Sequence, residues 1–315
     1  MSKTAFLFPG QGAQYVGMGK DFYNTYFISR QTYEEANDVL GIDLSGTCFN
    51  GPDDELLKTE NTQPSILTTS IAILRALQKE GFSCDFTAGL SLGEYSALVN
   101  AEAINFCDAV KLVRNRGAYM QQAVPFGTGK MGAIIGLSRD KVLKLINQVK
   151  DIGLLEVANY NTPEQIVLSG ETQAIKDAVK LAKEWGAKKA LLLPVSAPFH
   201  CSLLAPSGEL LRVDLEKIKF NTPRIPLVNN VDAKVITGKD QIIPSLIRQV
   251  SNSVLWQDSI ELMILNGVNT FVEIGPGTVL SNFVNAIAAE CRVNVISVSV
   301  ENLEGLKLAC QTLGK

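Results

Sequence analysis

Histidine is almost missing from this chain: 315 residues contain one, His200. Any chemistry that needs an imidazole must therefore run through that position. Charge of a single sign is not concentrated either. The 29 basic and 32 acidic residues give a formal net charge of -3, with no long block of one kind. Nucleic-acid binding, which calls for a concentrated basic face, is not indicated. Long apolar runs are lacking too. The N-terminal run Ala5-Phe6-Leu7-Phe8 ends at Pro9-Gly10, too short for a signal-peptide core, and no stretch approaches the ~18 residues of a membrane span. No membrane partner is expected. The six cysteines (Cys48, Cys84, Cys107, Cys201, Cys291, Cys310) form no C-x-x-C pair, which argues against zinc and against a disulfide framework. Free thiols in a reducing cytoplasm are the expectation.

What is present reads as a packed globular protein, 46% hydrophobic and 19% charged, long enough for one large domain with a smaller insert. There is no repeat and no low-complexity linker, so organisation must come from element order. Ala5 to Phe8 reads as a strand, Pro64 to Glu80 as a helix with its proline in the first turn, and Phe86 to Gly89 as a strand. Helices follow from Ser91 to Ala101 and from Ala109 to Ala123, with Asp108 as N-cap of the second. Such βα alternation implies a parallel sheet covered by helices.

The middle of the chain changes order. A strand (131–136), a helix capped by Ser138 (139–149), two strands (154–158 and 166–169) around a turn Asn159-Tyr160-Asn161-Thr162-Pro163, a helix (171–185) and a strand (189–193) give β-α-β-β-α-β. That is the ferredoxin-like arrangement, and it predicts a small subdomain over residues 127–196 inserted in a discontinuous α/β domain made of 1–126 and 197–315. The βα pattern then resumes, with strands near 225–229, 270–274 and 294–298. A cleft between two domains is a usual substrate site.

Gly89-Leu90-Ser91-Leu92-Gly93 is a G-x-S-x-G pattern between an expected strand and an expected helix. A nucleophile on such a turn needs a strained backbone, and glycines two residues to either side remove side-chain collisions. The helix start that follows offers unpaired N–H groups and a positive dipole end to an oxyanion. By itself the pattern also fits a glycine-rich turn with a solvent-facing serine. His200, in Pro198-Phe199-His200-Cys201 just after the inserted unit, is the one imidazole available as base, or else a buried structural residue. With thirty-two acidic residues, no carboxylate partner for it is singled out.

These residues resemble one family, the malonyl-CoA:acyl carrier protein transacylases of fatty acid and polyketide synthesis. The match runs over nearly the whole chain: Phe8-Pro9-Gly10-Gln11-Gly12-Ala13-Gln14, Ser91-Leu92-Gly93-Glu94, Arg114-Asn115-Arg116-Gly117, Val157-Ala158-Asn159-Tyr160-Asn161, Pro198-Phe199-His200, Arg248-Gln249 and Glu273-Ile274-Gly275-Pro276-Gly277. The resemblance implies an α/β-hydrolase-like core and no cofactor or metal. It implies Ser91 as nucleophile toward malonyl-CoA, His200 as base held by the main-chain carbonyl of Gln249, and the N–H groups of Gln11 and Leu92 as oxyanion hole. Arg116 would grip the malonyl carboxylate and Phe199 would disfavour branched acyl groups. Acyl carrier protein would receive the acyl group, and the enzyme would act as a monomer; the adjacent Lys188-Lys189 is one candidate basic surface for an acidic carrier. Where the family commonly has histidine before the nucleophile, this chain has Leu90. A serine esterase or thioesterase, a stand-alone polyketide acyltransferase, and a non-catalytic carrier-binding module stand as the competing readings.

Overall fold

The structure, a computed structural model, describes residues 3–125, 127–195 and 197–314. It contains ten strands among these residues: β1 (Lys3–Phe8), β2 (Phe86–Gly89), β3 (Gly129–Ile135), β4 (Leu155–Thr162), β5 (Gln165–Glu171), β6 (Lys189–Leu192), β7 (Leu227–Val228), β8 (Val235–Ile236), β9 (Val268–Ile274) and β10 (Ile296–Val300). They form two sheets, a six-stranded one in the order β10-β9-β1-β2-β7-β8 and a four-stranded one in the order β4-β5-β3-β6. The fold is mixed α/β.

In the larger sheet β10, β9, β1, β2 and β7 run parallel, and β8 folds back antiparallel on β7. A parallel sheet is buried on both faces, so its central strand reads as a continuous apolar run. In β1, Phe6 and Phe8 pack into one core while Ala5 and Leu7 pack into another on the opposite face, the two-residue period of a strand. Because the strands are parallel, their carboxyl ends share one edge. The segments that leave this edge carry Gln11 after β1, Ser91 after β2, Asn230 after β7 and Gly275 after β9. Open parallel sheets bind ligands along that edge.

The smaller sheet is antiparallel throughout and has its own core, built by Ile134, Leu168 and the apolar faces of the helices Arg139–Val149 and Thr172–Glu184. Three contacts among the described residues help tie it to the larger unit. Asn159 of β4 forms a parallel bridge with Val254. Arg139 makes a two-pronged ion pair with Asp258, at 2.8 and 3.2 Å, and lies 4.0 Å over the Tyr160 ring. Glu156 accepts from the N–H and the hydroxyl of Ser202. Phe126 and Ser196, where the sequence places the joins between the units, lie outside the described residues.

Three local expectations are corrected. Asn159 to Thr162 are not a turn but the end of β4; pairing with Val167 and the bridge to Val254 outweigh the turn preference of asparagine. The helix containing Pro64 is Thr59–Lys79, so the proline sits inside it, past the first turn. The cap of the helix Phe106–Gln122 is Asn105, whose side chain accepts from the Asp108 N–H; Asp108 itself lies in the first turn.

The elbow is wedged against β1. A Cβ on Gly93 would sit 2.1 Å from the Phe8 carbonyl oxygen, and one on Gly89 would sit 2.0 Å from the Gly93 backbone. Gly93→Ala should therefore lower unfolding stability in urea by more than about 2 kcal/mol, since backbone rather than a flexible side chain would have to move. Unchanged stability would contradict this packing.

Candidate active site

Ser91 adopts φ 53° and His200 φ 60°, both in the left-handed region, where a residue with a Cβ is disfavoured. At the elbow this follows from the sharp reversal between β2 and the helix Gly93–Asn100. The two residues meet in one contact: Ser91 Oγ and His200 Nε2 are 2.7 Å apart, across 109 positions of sequence. His200 Nδ1 lies 2.8 Å from the Gln249 main-chain oxygen. A carbonyl oxygen only accepts, so Nδ1 carries the proton and Nε2 presents its lone pair to the serine hydroxyl. No carboxylate is needed to fix this tautomer.

His200 is buried. Burial, reinforced by the positive charge of Arg116, pushes its pKa from 6.5 down to about 4, and hydrogen bonding to the main chain of Gln249 and Asn252 offsets only part of that. The imidazole is thus neutral, the state in which it can take a proton.

Arg116 rises from the helix Phe106–Gln122 and is 2% exposed. Its guanidinium donates to Ser91 Oγ at 3.2 Å, to Gln249 Oε1 at 3.0 Å and to Gln63 Oε1 at 2.9 Å, and it lies 5.4 Å over the Tyr95 ring. Every one of these partners is neutral, and among the described residues it forms no ion pair. A buried cation with no carboxylate in direct contact is unfavourable by several kcal/mol; burial lowers its pKa, and the charge of Glu94, one amide away through Gln249, offsets only part of that.

Of the two residues expected to supply oxyanion N–H groups, Leu92 belongs to the elbow and Gln11 follows a glycine packed against it. Leu92 immediately precedes the helix Gly93–Asn100. Gly10, next to Gln11, lies so close that a Cβ there would sit 2.4 Å from the Leu90 carbonyl oxygen and 3.2 Å from a Leu90 methyl. Leu90, which stands where the resemblance leads one to expect histidine, is partly buried against the apolar cluster that holds Ala5 and Leu7. Phe199 is buried in the main core beside the histidine. Lys188, by contrast, is paired with Glu164 at 2.6 Å, which neutralises half of the basic pair considered as a docking surface. No group of three or more His, Cys, Asp or Glu side chains that could hold a metal occurs among the described residues.

Sequence reasoning missed four contributors. Gln63 holds Arg116. The side chain of Gln249 links Arg116 to Glu94 and to the Ser91 carbonyl. Glu94 is wholly buried, and burial raises its pKa to about 7. Asn230 contacts the Ser91 N–H. Glu94 stands inside the elbow motif and was visible there; the amides carry no spacing that marks them.

A serine hydroxyl bonded to a neutral imidazole, with a helix start beside it, at the carboxyl edge of a parallel sheet, defines the class: a protein equipped for acyl chemistry at serine. The chain belongs to the acyl transferase domain family, whose model matches residues 5–290. It is 44% identical over 314 residues to the malonyl CoA-acyl carrier protein transacylase of Bacillus subtilis, covering 99% of this chain and 98% of that one. It is 46% identical to the Escherichia coli K12 protein of the same name, over 91% of this chain and 93% of the other. Among solved structures, the Clostridium perfringens malonyl CoA-acyl carrier protein transacylase matches with a TM-score of 0.95 at 46% identity, covering 99% and 98%. A malonyl-transacylase in complex with its type II polyketide-synthase acyl-carrier protein matches with a TM-score of 0.95 at 41% identity, covering 99% and 100%.

The buried neutral imidazole sets a pH dependence. With a neutral activated ester such as p-nitrophenyl acetate, the rate of Ser91 acylation should hold its plateau as pH falls through the ordinary histidine range and drop only near or below about pH 5. An acid limb centred at 6.5 or above would contradict the burial of His200.

Proposed function

We propose that this chain moves a malonyl group from malonyl-CoA to the phosphopantetheine thiol of acyl carrier protein, through an acyl-Ser91 intermediate. The observation that carries this reading is Arg116, a buried guanidinium with neutral partners only, 3.2 Å from the serine oxygen. A thioester whose acyl group ends in a free carboxylate supplies the missing anion at that distance, and a planar guanidinium pairs with it through two parallel hydrogen bonds.

In the first half-reaction Ser91 Oγ attacks the thioester carbonyl while its proton passes to His200 Nε2. The resulting imidazolium is stabilised by the Gln249 carbonyl on its other nitrogen. The N–H groups of Leu92 and Gln11 receive the oxyanion. Collapse breaks the carbon–sulfur bond, and the proton on His200 goes to the departing CoA thiol. In the second half-reaction the carrier's thiol gives its proton to His200 and attacks the ester. The same steps then run in reverse, and Ser91 recovers its hydroxyl. Phe199, packed beside His200, limits the room for a branch on the acyl chain, a discrimination of about 1–3 kcal/mol per methyl.

The names of the relatives support both substrates, and the solved complex with a carrier protein supports the acceptor. Fatty acid synthesis is the pathway we assign. We read the smaller sheet as a ferredoxin-like subdomain (127–196) and the rest (1–126 and 197–315) as an α/β-hydrolase-like domain. The β-α-β-β-α-β order with strand order β4-β5-β3-β6 and a separate core support the first name. The serine elbow after a parallel strand supports the second. Six free cysteines agree with a reducing cytoplasm, and no helix among the described residues is long and apolar enough to cross a membrane. Simple hydrolysis to water is the competing reading; Arg116 favours an anionic acyl group over a neutral ester, and the names of the relatives favour transfer over hydrolysis.

Two substitutions test this. His200→Ala should lower kcat by roughly 10²–10⁴ as loss of a general base. Arg116→Ala should depress transfer from malonyl-CoA far more than transfer from acetyl-CoA, measured with holo carrier protein as acceptor. Equal losses for the two acyl groups would remove the carboxylate-clamp role. Release of malonate to water outpacing transfer to the carrier would favour the hydrolase.

A further inference from the structure

Glycines at 89 and 93 make the elbow sterically possible, but they supply no attraction that keeps Ser91 in a conformation its own Cβ disfavours. We propose that Asn230 is a positioning residue for the nucleophile: its carboxamide spans the elbow and holds Ser91 in the left-handed conformation that aims the hydroxyl at His200.

Asn230 is fully buried. Its Oδ1 accepts the Ser91 N–H at 2.6 Å and its Nδ2 donates to the Gly89 carbonyl at 2.8 Å, so one rigid planar amide fixes the turn on both sides of Leu90. Sheet register puts it there. β2 and β7 are parallel with Ala88 opposite Val228, and the segments that continue past their carboxyl ends bring residue 230 beside the elbow. The asparagine is itself anchored. Its N–H donates to Glu94 Oε2 at 3.0 Å, and its carbonyl accepts from the Leu255 N–H at 2.8 Å. Glu94 Oε2 also accepts from Gln249 Nε2 at 2.7 Å, and that same amide donates to the Ser91 carbonyl at 3.0 Å. Both main-chain polar groups of the nucleophile are therefore held by buried side-chain amides, and both residues are tied to Glu94, Asn230 through its main-chain N–H and Gln249 through its side chain. An error of about 1 Å in placing a reacting atom can cost about 10²-fold in rate, so the clamp bears directly on attack.

The inference rests on Ser91 being the nucleophile but not on the identity of the acyl group, and the test separates the two. Diisopropyl fluorophosphate reports serine reactivity alone: Ser91 Oγ displaces fluoride from phosphorus, and its proton passes to His200. The wild-type enzyme should be labelled and Ser91→Ala should not; failure of the wild type would overturn the reading of Ser91 and this inference with it. Folded Asn230→Ala should be labelled about 10²-fold more slowly, with KM for malonyl-CoA changed less than about threefold, because the Arg116 contacts are left in place. Labelling at the wild-type rate would overturn the proposal alone.

Asn230→Asp keeps the shape and carries the test if the alanine variant does not fold. Its carboxylate retains the acceptor for Ser91 N–H but cannot donate to the Gly89 carbonyl until protonated. Its labelling rate, as a ratio to wild type, should be depressed near pH 8 and recover severalfold toward about pH 6. The ionisable groups around that position are Glu94, Arg116 reached through Gln249, His200, and Asp232, which is paired with Arg248; all are present in both proteins, so the ratio reports the new carboxyl together with its coupling to the adjacent Glu94. A ratio that does not change with pH would contradict the clamp.

Discussion

A hydrogen bond of 2.7 Å between Ser91 and His200 closes the site, and it joins two residues that are each held in the left-handed region of backbone space. Neither conformation is favourable alone, at a cost of order 1–2 kcal/mol for each residue. The parallel sheet delivers the serine at the carboxyl end of β2, and the chain returning from the smaller sheet delivers the histidine. The bridge between Asn159 and Val254, with the ion pair of Arg139 and Asp258, ties the two units together close to where the ring must sit. Much of the fold can be understood as the framework that keeps this one contact short.

The electrostatics around that contact pull in one direction. Burying His200 beside Arg116 keeps the imidazole neutral, which suits a base, while the guanidinium lies within hydrogen-bonding distance of the oxygen that must give up its proton. The apparent cost is the unpaired Arg116 charge. In our reading the substrate's own carboxylate offsets it on binding, so that affinity and selectivity for a charged acyl group come from the same desolvated cation. A neutral acyl chain would leave that charge uncompensated. The main-chain carbonyl of Gln249 does for His200 what a carboxylate does in many serine enzymes, without placing a charge against the ring.

Much of this was readable in the residues. The elbow glycines, the lone histidine and the switch from βα alternation to β-α-β-β-α-β marked the serine, the base and the smaller unit, because each leaves a local or compositional trace. What was not readable depends on register between distant segments. Asn230 reaches Ser91 because β7 pairs with β2, and Gln63 reaches Arg116 because two helices pack; neither amide belongs to a pattern that singles it out. The turn expected at 159–163 failed for a related reason, since a bridge to Val254 from the other unit extends β4 through asparagines that prefer turns in isolation. The helices between residues 20 and 57 were not anticipated at all; several are short, from 5 to 7 residues, and depend on packing against the long helix Thr59–Lys79 rather than on their own periodicity.

The central claim is that Ser91 carries the acyl group between two thiols. The most direct measurement is intact-protein mass spectrometry after mixing with malonyl-CoA, followed by proteolysis to locate the adduct. The account predicts a gain of one malonyl group on the peptide containing Ser91, discharged when holo acyl carrier protein is added. No adduct, or an adduct on a cysteine such as Cys201, would contradict it.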